Sequence, residues 1–388
     1  MPSSSPCDLR PTVAHCASPF LNLTMTWIYG QIRHHRRYRP VVLTQEARNT
    51  ESFPVDRLHD VAQWPLAVRL VHRGIRRLTG QYSFYYPVIL RERAALIHAH
   101  FGQEGYRCLD ARRRAGLPLV TTFYGLDASA LPNIRTWRRR FRRLFQEGRV
   151  FLAEGPHLAE RLAEIGCPAE KVRVHKLGVD LSAIPFRPGR NLQEGAQVIL
   201  MCGSFREKKG FSCGVRAFHR ILDRHPSSRL HIIGDGPLKG EIEATVRELG
   251  LEDRTSFLGL LTHPEYLKHL LGCHVLLHPS LTASDGDTEG GAPVTIIEAL
   301  ASGAPVVSTL HADIPAVAPD GRCALLAPER DVEGLAERLD ALLSDDALRQ
   351  RLGEAGRRHV EEHHDAVKQG ERLEAIYDEV VQGGSGVD

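Results

Sequence analysis

The chain has 388 residues, a net charge of +3, 42% hydrophobic and 25% charged residues, and eight cysteines. Such a length exceeds one ordinary core and sets two domains as the expectation, and the composition is that of a soluble globular protein. No apolar run approaches the ~18 residues of a membrane span, the opening MPSSSPCDLRPTVAHC lacks the apolar centre of a signal peptide, and no CxxC pair suggests a zinc site or a disulfide framework.

Reduced thiols in a cytoplasmic protein are therefore expected. The small net charge hides a split. Residues 1–190 hold 30 Lys and Arg against 15 Asp and Glu, a balance of +15, and the remainder holds 20 against 32, a balance of −12. A basic half of this size points to something anionic.

In chain order, the first half offers short β-rich runs at VAHCAS (13–18), PVVLTQ (40–45), LIHAHFG (96–102), PLVTTFYG (118–125), VFLAEG (150–155) and VRVHKLG (172–178). IPFRPGRNLQEGA (184–196) is a linker by composition. The second half gives QVILMCG (197–203), RLHIIG (229–234), TSFLG (255–259), HVLLHPS (274–280), PVVST (305–309) and ALLAP (324–328), separated by segments of helical period. Strand–helix alternation at this spacing means right-handed βαβ units and a parallel sheet covered on both faces. The domains expected are 1–185 and 197–365, joined by a 186–196 linker, with a helix at 366–388 crossing back onto the first. From 344 the tail reads as helical, broken near Gly353 and Gly356. Two doubly wound domains put their ligands at the carboxyl ends of the strands, and the cleft between them is the default site.

IRTWRRRFRRLF (134–145) places Trp137, Phe141 and Leu144 on one face and Arg138, Arg139, Arg142 and Arg143 around the rest. A solvated helix with an apolar core stripe, a helix attracted to an anionic membrane surface and a nucleic-acid contact all fit. No recognition module supports the last.

In DGDTEGGAPVTIIEALASGAPVVST (285–309) a loop of glycines and carboxylates feeds an apolar helix. Pro293 suits its first position and Gly303 the left-handed residue that ends it. Free N–H groups at a helix start reached through glycines form a seat for phosphate. Glu298 is stranded among Ile296, Ile297, Ala299 and Leu300. A buried carboxylate without a partner costs several kcal/mol. Either a ligand's vicinal hydroxyls satisfy it, or a salt bridge to a neighbouring helix does.

On these residues the chain resembles the retaining glycosyltransferases of family 4, of exopolysaccharide and colanic-acid type. Their EGxPxxxxEAxAxGxPVV motif stands here as EGGAPVTIIEALASGAPVV. The resemblance implies an α/β chain of GT-B fold, two Rossmann-like doubly wound domains facing across a cleft. The first would bind the acceptor and the second a nucleotide-sugar donor. Glu298 would hold the ribose, the acidic loop the sugar, and amides around Val294–Thr295, after Pro293, the diphosphate. Glu289 and Glu298 lie nine apart, one more than the family pattern, leaving Gly290 at the strict position. A bulge among Gly290, Gly291 and Ala292 would restore Glu289 to the sugar.

LMCGSFREKKGF (200–211) resembles the family's GRLvexKKG loop. Gly203 lets the backbone approach, Ser204 stands in the usual arginine position, and Arg206 with Lys209 would neutralise the leaving diphosphate. Gly234 in IIGDGP is the matching glycine turn, and Leu260 in FLGLL lies where family backbones meet the base. In the first domain Tyr124-Gly125-Leu126-Asp127 stands where the family often has HGxD. Tyr124 would hydrogen-bond a sugar hydroxyl. With a reference pKa of about 10 it is no base at neutral pH. His100 is a candidate for positioning the acceptor, or else a satisfied histidine under the loop.

The implied reaction transfers a hexosyl group from a UDP-, GDP- or ADP-sugar to a hydroxyl acceptor, saccharide, lipid-linked or small, with retention. It serves polysaccharide, glycolipid or secondary-metabolite biosynthesis. No metal or cofactor is obligatory, and the departing phosphate helps remove the acceptor's proton. Glu289, Tyr124, His100 and Asp127 are the catalytic candidates. The expected location is the cytoplasm, with association at the inner face of a membrane as one option. An epimerase on the same architecture and a non-catalytic nucleotide-sugar-binding subunit are the rivals. A phosphorylase would need a cofactor lysine or a phosphate site that the sequence does not offer.

Overall fold

A computed structural model describes residues 8–23, 25–188, 196–291 and 293–383. Ala292, most of the 186–196 linker and the last five residues of the tail lie outside the described residues. The chain forms two compact units. Unit 1 gathers Met1–Ala153, Ala159–His175 and Ala366–Asp388, and unit 2 gathers Glu154–Leu158 and Lys176–Asp365.

The strands of unit 1 are β1 (Thr12–Cys16), β2 (Arg39–Thr44), β3 (Leu58–Asp60), β4 (Ala94–His100), β5 (Leu119–Thr122), β6 (Val150–Ala153) and β7 (Val172–Val174). All pair in parallel, in the order β3-β2-β1-β4-β5-β6-β7. In unit 2, β8 (Val198–Cys202), β9 (Arg229–Ile233), β10 (Thr255–Gly259), β11 (Val275–His278), β12 (Val306–Thr309) and β13 (Leu325–Ala327) form a second parallel sheet in the order β10-β9-β8-β11-β12-β13. In each unit the order reverses beside the first strand, which is the doubly wound arrangement. Central strands such as TVAHC and VLLH are buried along their whole length, so they read as continuous runs without alternation.

One core of unit 2 joins Ile199, Met201, Val275 and Leu277 to Phe211, Phe218, Ile242 and Leu339. In unit 1, Val13, Leu96, Val120 and Leu152 pack with Leu373, Tyr377 and Val380 of the helix Ala366–Gln382. That helix also caps backbone. The Glu374 carboxylate accepts N–H bonds from Arg36 at 2.8 Å, Arg37 at 2.8 Å and Tyr38 at 3.1 Å.

The structure differs from expectation in three places. β3 adds an edge strand too short to show as an apolar run. The helix Asp346–His363 runs through Gly353 and Gly356 without a break. The glycines serve close packing instead, since a Cβ on Gly353 would strike the Gly303 carbonyl and one on Gly356 would strike Leu300. Pro293 caps the helix Val294–Ser302 from outside rather than opening it, and Gly303 ends it at φ +81°.

Candidate active site

In unit 2 the sequence-expected donor residues lie after β8 (Gly203, Ser204, Arg206, Lys209), after β9 (Gly234), after β10 (Leu260) and between β11 and the helix Val294–Ser302 or on that helix. The β8 loop turns tightly. Gly234 at φ +142° lies against the Gly203 carbonyl, and Gly210 at φ +62° against the carbonyl of Pro279, so a side chain fits at neither. Lys208 and Lys209 leave this loop in the short turn Glu207–Lys209 and pin the acidic loop opposite. Lys208 Nζ donates to Asp287 Oδ1 at 3.1 Å and to the Thr288 carbonyl at 2.8 Å. Lys209 Nζ donates to Glu289 Oε2 at 2.9 Å.

Glu289 has a second side-chain partner. Ser280 Oγ donates to its Oε1 at 2.8 Å, and that hydroxyl is 2.9 Å from His278 Nδ1. Burial, the largest single influence, would raise the Glu289 pKa, but Lys209, His278 and Lys208 together outweigh it and hold it at about 2. The Glu289 N–H donates to His311 Nε2 at 3.1 Å, so the ring's proton lies on Nδ1, 2.6 Å from Glu329 Oε1. The loop holding Glu289 is thus fixed from several sides. Gly290 adopts φ +80°, and Gly291 lies so close to Glu154 that a Cβ would overlap the carboxylate.

Glu298 is 4% exposed, and its Oε1 lies 2.7 Å from Nε2 of His263, on the helix His263–Gly272. The bond to Glu298 raises the His263 pKa. Tyr266, one turn along the same helix, has its phenol pushed well above the ordinary value, first by burial and then by the charge of Glu298. The neighbouring-helix contact weighed for Glu298 is therefore present. On its own helix Thr295 precedes Glu298 by three residues and shares its face. Thr295 Oγ1 is buried and has no hydrogen-bond partner among the described residues. Val294 is half-buried, Arg206 and Leu260 are exposed, and Ser204 is half-buried with its carbonyl accepting from the Arg206 N–H at 2.8 Å.

In unit 1 the strand register gathers histidines. His15 of β1 pairs with His98 of β4, and His100 follows two residues on, on the same face. His100 pairs in turn with Thr122 of β5. Tyr124 Oη lies 2.6 Å from His100 Nδ1, His100 Nε2 lies 3.0 Å from His15 Nδ1, and His15 Nε2 lies 2.9 Å from His35 Nε2. His35 Nδ1 is 3.4 Å from the Glu374 carboxylate. His98 is bonded to Tyr377 Oη at 2.6 Å and Thr122 Oγ1 at 2.7 Å. Burial lowers His100 to about 3 and takes His15 and His98 well below 6.5, so these rings are neutral at pH 7. His15, His98 and His100 bring ring nitrogens within 4.8 Å of one another, a spacing a metal ion could use. All six of their ring nitrogens are already hydrogen-bonded, so a metal entering there would displace bonds from each ring.

Asp127 holds the turn together. It accepts the N–H groups of Tyr124 and Gly125, each at 3.0 Å, and of Gly102 at 2.8 Å, and burial raises its pKa despite them. Its oxygens are spent on backbone. The sequence singled out Tyr124, His100 and Asp127 but not His15, His35 or Glu374, which are linked to them only through register and a helix more than 200 residues away. In unit 2 it passed over His263, Ser280, Lys208, His311 and Glu329.

The helix Arg135–Glu147 turns Phe141, Leu144 and Phe145 into unit 1, so its apolar face is spent in the core. Arg140 stacks on Trp137 and Tyr106, with its guanidinium 4.8 and 5.3 Å from the ring centres. No helix among the described residues is long and apolar enough to cross a membrane.

Two family models match the chain: Glycosyltransferase Family 4 over residues 26–183 and Glycosyl transferases group 1 over residues 184–359. The putative colanic acid biosynthesis glycosyltransferase WcaL of Escherichia coli (strain K12) is 33% identical over 251 residues, which are 64% of this chain and 61% of WcaL. The amylovoran biosynthesis glycosyltransferase AmsK of Erwinia amylovora is 31% identical over 245 residues, 63% of this chain and 60% of AmsK. The chain thus spans about three fifths of the length of the curated relatives it matches. Among solved structures, Alr3699/HepE of Anabaena, in complex with UDP and glucose, superposes with a TM-score of 0.77 at 17% identity, covering 94% of this chain and 99% of HepE.

Proposed function

This chain belongs to the family 4 glycosyltransferases, and we propose that it moves a hexosyl group from a nucleoside-diphosphate sugar to a hydroxyl acceptor, with retention, in the building of an extracellular polysaccharide. The observation that carries the donor reading is the pair Thr295 and Glu298. A buried hydroxyl with no hydrogen-bond partner among the described residues stands one helical turn before a buried carboxylate, at a helix start reached through glycines. A diphosphate suits the hydroxyl and the first free N–H groups, and a ribose suits the carboxylate. Lys209 spends one of its three donors on Glu289 and has two for phosphate. HepE was solved with UDP, and WcaL and AmsK are named for polysaccharides, which favours a UDP-sugar and a saccharide or lipid-linked acceptor.

The proposed chemistry uses fixed charge rather than a strong base. Glu289, held as a carboxylate at neutral pH by Lys209, stabilises the positive charge that develops at the anomeric carbon. Lys209 and the helix start stabilise the leaving diphosphate. The His100 imidazole is too weak a base to take the acceptor proton, so the departing phosphate does so, on the face it leaves, and configuration is retained. Tyr124 orients the acceptor or sugar through its hydroxyl. A cytoplasmic setting accords with seven free cysteines among the described residues.

A thermal-shift panel of UDP, GDP, ADP, TDP and CMP, each with and without Mg²⁺, tests the donor site. One diphosphate is expected to raise the melting temperature, and Glu298→Ala is expected to remove that shift. No shift with any nucleotide overturns the donor reading. NMR of the product's anomeric configuration tests retention separately.

A further inference from the structure

One cavity of unit 1 is walled by charge rather than by apolar side chains. Its wall carries three guanidiniums, from Arg76, Arg107 and Arg140, together with Ser18, Gln45 and Tyr82. Ser18 follows β1 and Gln45 follows β2, so the cavity lies at the carboxyl ends of the strands, where a doubly wound sheet takes its ligands. Tyr124 follows β5 at the same edge of the sheet. A volume of about 450 Å³ falls within the roughly 300–1,000 Å³ of small-molecule sites and exceeds what a bare ion fills.

The arginines come from three separate elements, and each is held in place. Arg76 is in the last turn of the helix Leu66–Thr79, LAVRLVHRGIRRLT, which buries none of its residues, Leu70 and Leu78 included. Its Nη1 donates to Gln45 Oε1 at 3.3 Å. That bond orients the Gln45 amide and leaves its Nε2 a donor with no hydrogen-bond partner among the described residues. Arg107 ends the helix Gly102–Arg107, pairs with the buried Glu104 and lies over the Tyr82 ring, 5.5 Å from its centre. Arg140 is braced by Trp137 and Tyr106, and a Cβ on Gly80 would stand only 3.3 Å from its Nη2. Among the described residues no carboxylate pairs with Arg76 or Arg140. The acid in the wall, Glu46, is taken by Arg48 at 2.9 and 3.0 Å. Guanidiniums left without a counter-charge, with an amide and a hydroxyl beside them, are the donor set for an oxyanion, which an arginine fork binds through two bonds.

We propose that this cavity is the subsite for an acidic sugar of the acceptor, its carboxylate or phosphate ester held by Arg76, Arg107 and Arg140 and its hydroxyls by Ser18 and Gln45. The proposal rests on the reading of unit 1 as the acceptor unit, and it narrows the acceptor from any hydroxyl compound to an anionic saccharide. The acid is bound beside β1 and β2, and the reacting hydroxyl is left to Tyr124 after β5. Part of the excess of arginine in residues 1–190 then has a local purpose.

Calorimetric titration of the full chain with glucuronate, glucose 6-phosphate, inorganic phosphate and glucose, at constant ionic strength, tests this. One of the two acidic sugars is expected to bind, and which one does so identifies the acid as carboxylate or phosphate. Glucose and inorganic phosphate are expected to bind on the order of tenfold more weakly or less, and Trp137, stacked on Arg140, should report the same binding by fluorescence. Arg76→Gln and Arg140→Gln are each expected to weaken binding on the order of tenfold. Arg76 is exposed, so the melting temperature of Arg76→Gln is expected to hold even if loss of the Arg140 stacking lowers that of the other variant. Binding of neither acidic sugar overturns the proposal, as does inorganic phosphate that binds as tightly as they do, or binding that Arg76→Gln leaves unchanged. The titrations need no donor. Loss of the UDP-induced thermal shift would therefore overturn the donor reading and leave their result standing, whereas a UDP shift with no binding of either acidic sugar overturns this proposal alone.

Discussion

The buried polar side chains at the strand ends of unit 1 are imidazoles joined to phenols, whereas those of unit 2 are carboxylates set against ammonium groups and imidazoles. His100, His15 and His98 are driven neutral by burial; His100 and His15 bond each other through ring nitrogens, and His98 bonds Tyr377 and Thr122. Glu289 meets the same burial but keeps its charge, because Lys209 is 2.9 Å away. At the strand ends, the unit proposed to meet a diphosphate maintains a charged pair, and the unit proposed to meet a neutral hydroxyl maintains a chain of neutral imidazoles. Electrostatic stabilisation of a leaving group needs the first, and positioning an acceptor needs the second.

The comparison breaks most severely at Lys209. Lys209→Ala is expected to slow transfer by about a hundredfold or more. It also leaves Glu289 buried without its cation, at a cost of about 3–5 kcal/mol. Adding Glu289→Gln should recover the stability in urea titrations and leave the rate low. A rate that recovers with it would show that the ammonium acts only on Glu289.

Acid sharpens the comparison, because the buried histidines and the cation-held carboxylate lose stability in different windows. A histidine whose folded pKa is lowered gives stability that is complete above its ordinary 6.5 and is lost as pH falls toward the folded value, about 3 for His100. A carboxylate held at about 2 gives stability that is complete above 4.5 and is lost only as pH falls below that. From pH 6.5 downward each histidine that protonates on unfolding should cost about 1.4 kcal/mol per pH unit, in unit 1 at His15, His98 and His100 and in unit 2 at His278, which burial holds at about 3. All three tryptophans, Trp27, Trp64 and Trp137, lie in unit 1, so their fluorescence reports it alone. Hydrogen exchange in β8 and β11 reports unit 2. Loss in either unit that begins only below pH 4.5 would refute the assignment.

His15→Phe interrupts the imidazole chain and orphans nitrogens of His100 and His35, for an expected 1–3 kcal/mol in denaturant titrations, roughly the desolvation cost of unpaired polar groups. The nucleotide-induced shift of unit 2 should be unchanged. The smallest effect is expected at His263→Ala, about 1 kcal/mol. His263 has a raised pKa, so its contribution is complete below 6.5 and is lost as pH rises through the raised value. Wild type and variant should therefore converge in alkaline buffer. If nucleotide binding falls in His263→Ala as far as in Glu298→Ala, the imidazole belongs to the ribose site rather than to the support of Glu298.

The alternation of strands and helices, the double winding and the family motif were legible because each is written in consecutive residues with a local cause. Glu298 stood out as a charge in an apolar helix, and Gly303 as a cap. What was illegible depends on register or direction. His263 reaches Glu298 across 35 residues, and His15 meets His98 only because β1 and β4 pair at that offset. Gly353 and Gly356 suggested a break because a glycine's freedom and its small size leave the same letter. The arginines of 134–145 drew notice while LAVRLVHRGIRRLT did not, since a pattern gives an apolar face without saying which way it turns.

The last helix of unit 1 carries a consequence for the order in which the protein is made. Val13, Leu96 and Val120 leave the ribosome early, but Leu373, Tyr377 and Val380, which complete their cluster, are synthesised after the whole of unit 2. The turn at residues 36–38 likewise waits for Glu374. Unit 2 can close while its forerunner is still open, so the nascent chain carries an unfinished apolar surface for most of its synthesis, and the second unit translated is the first to finish.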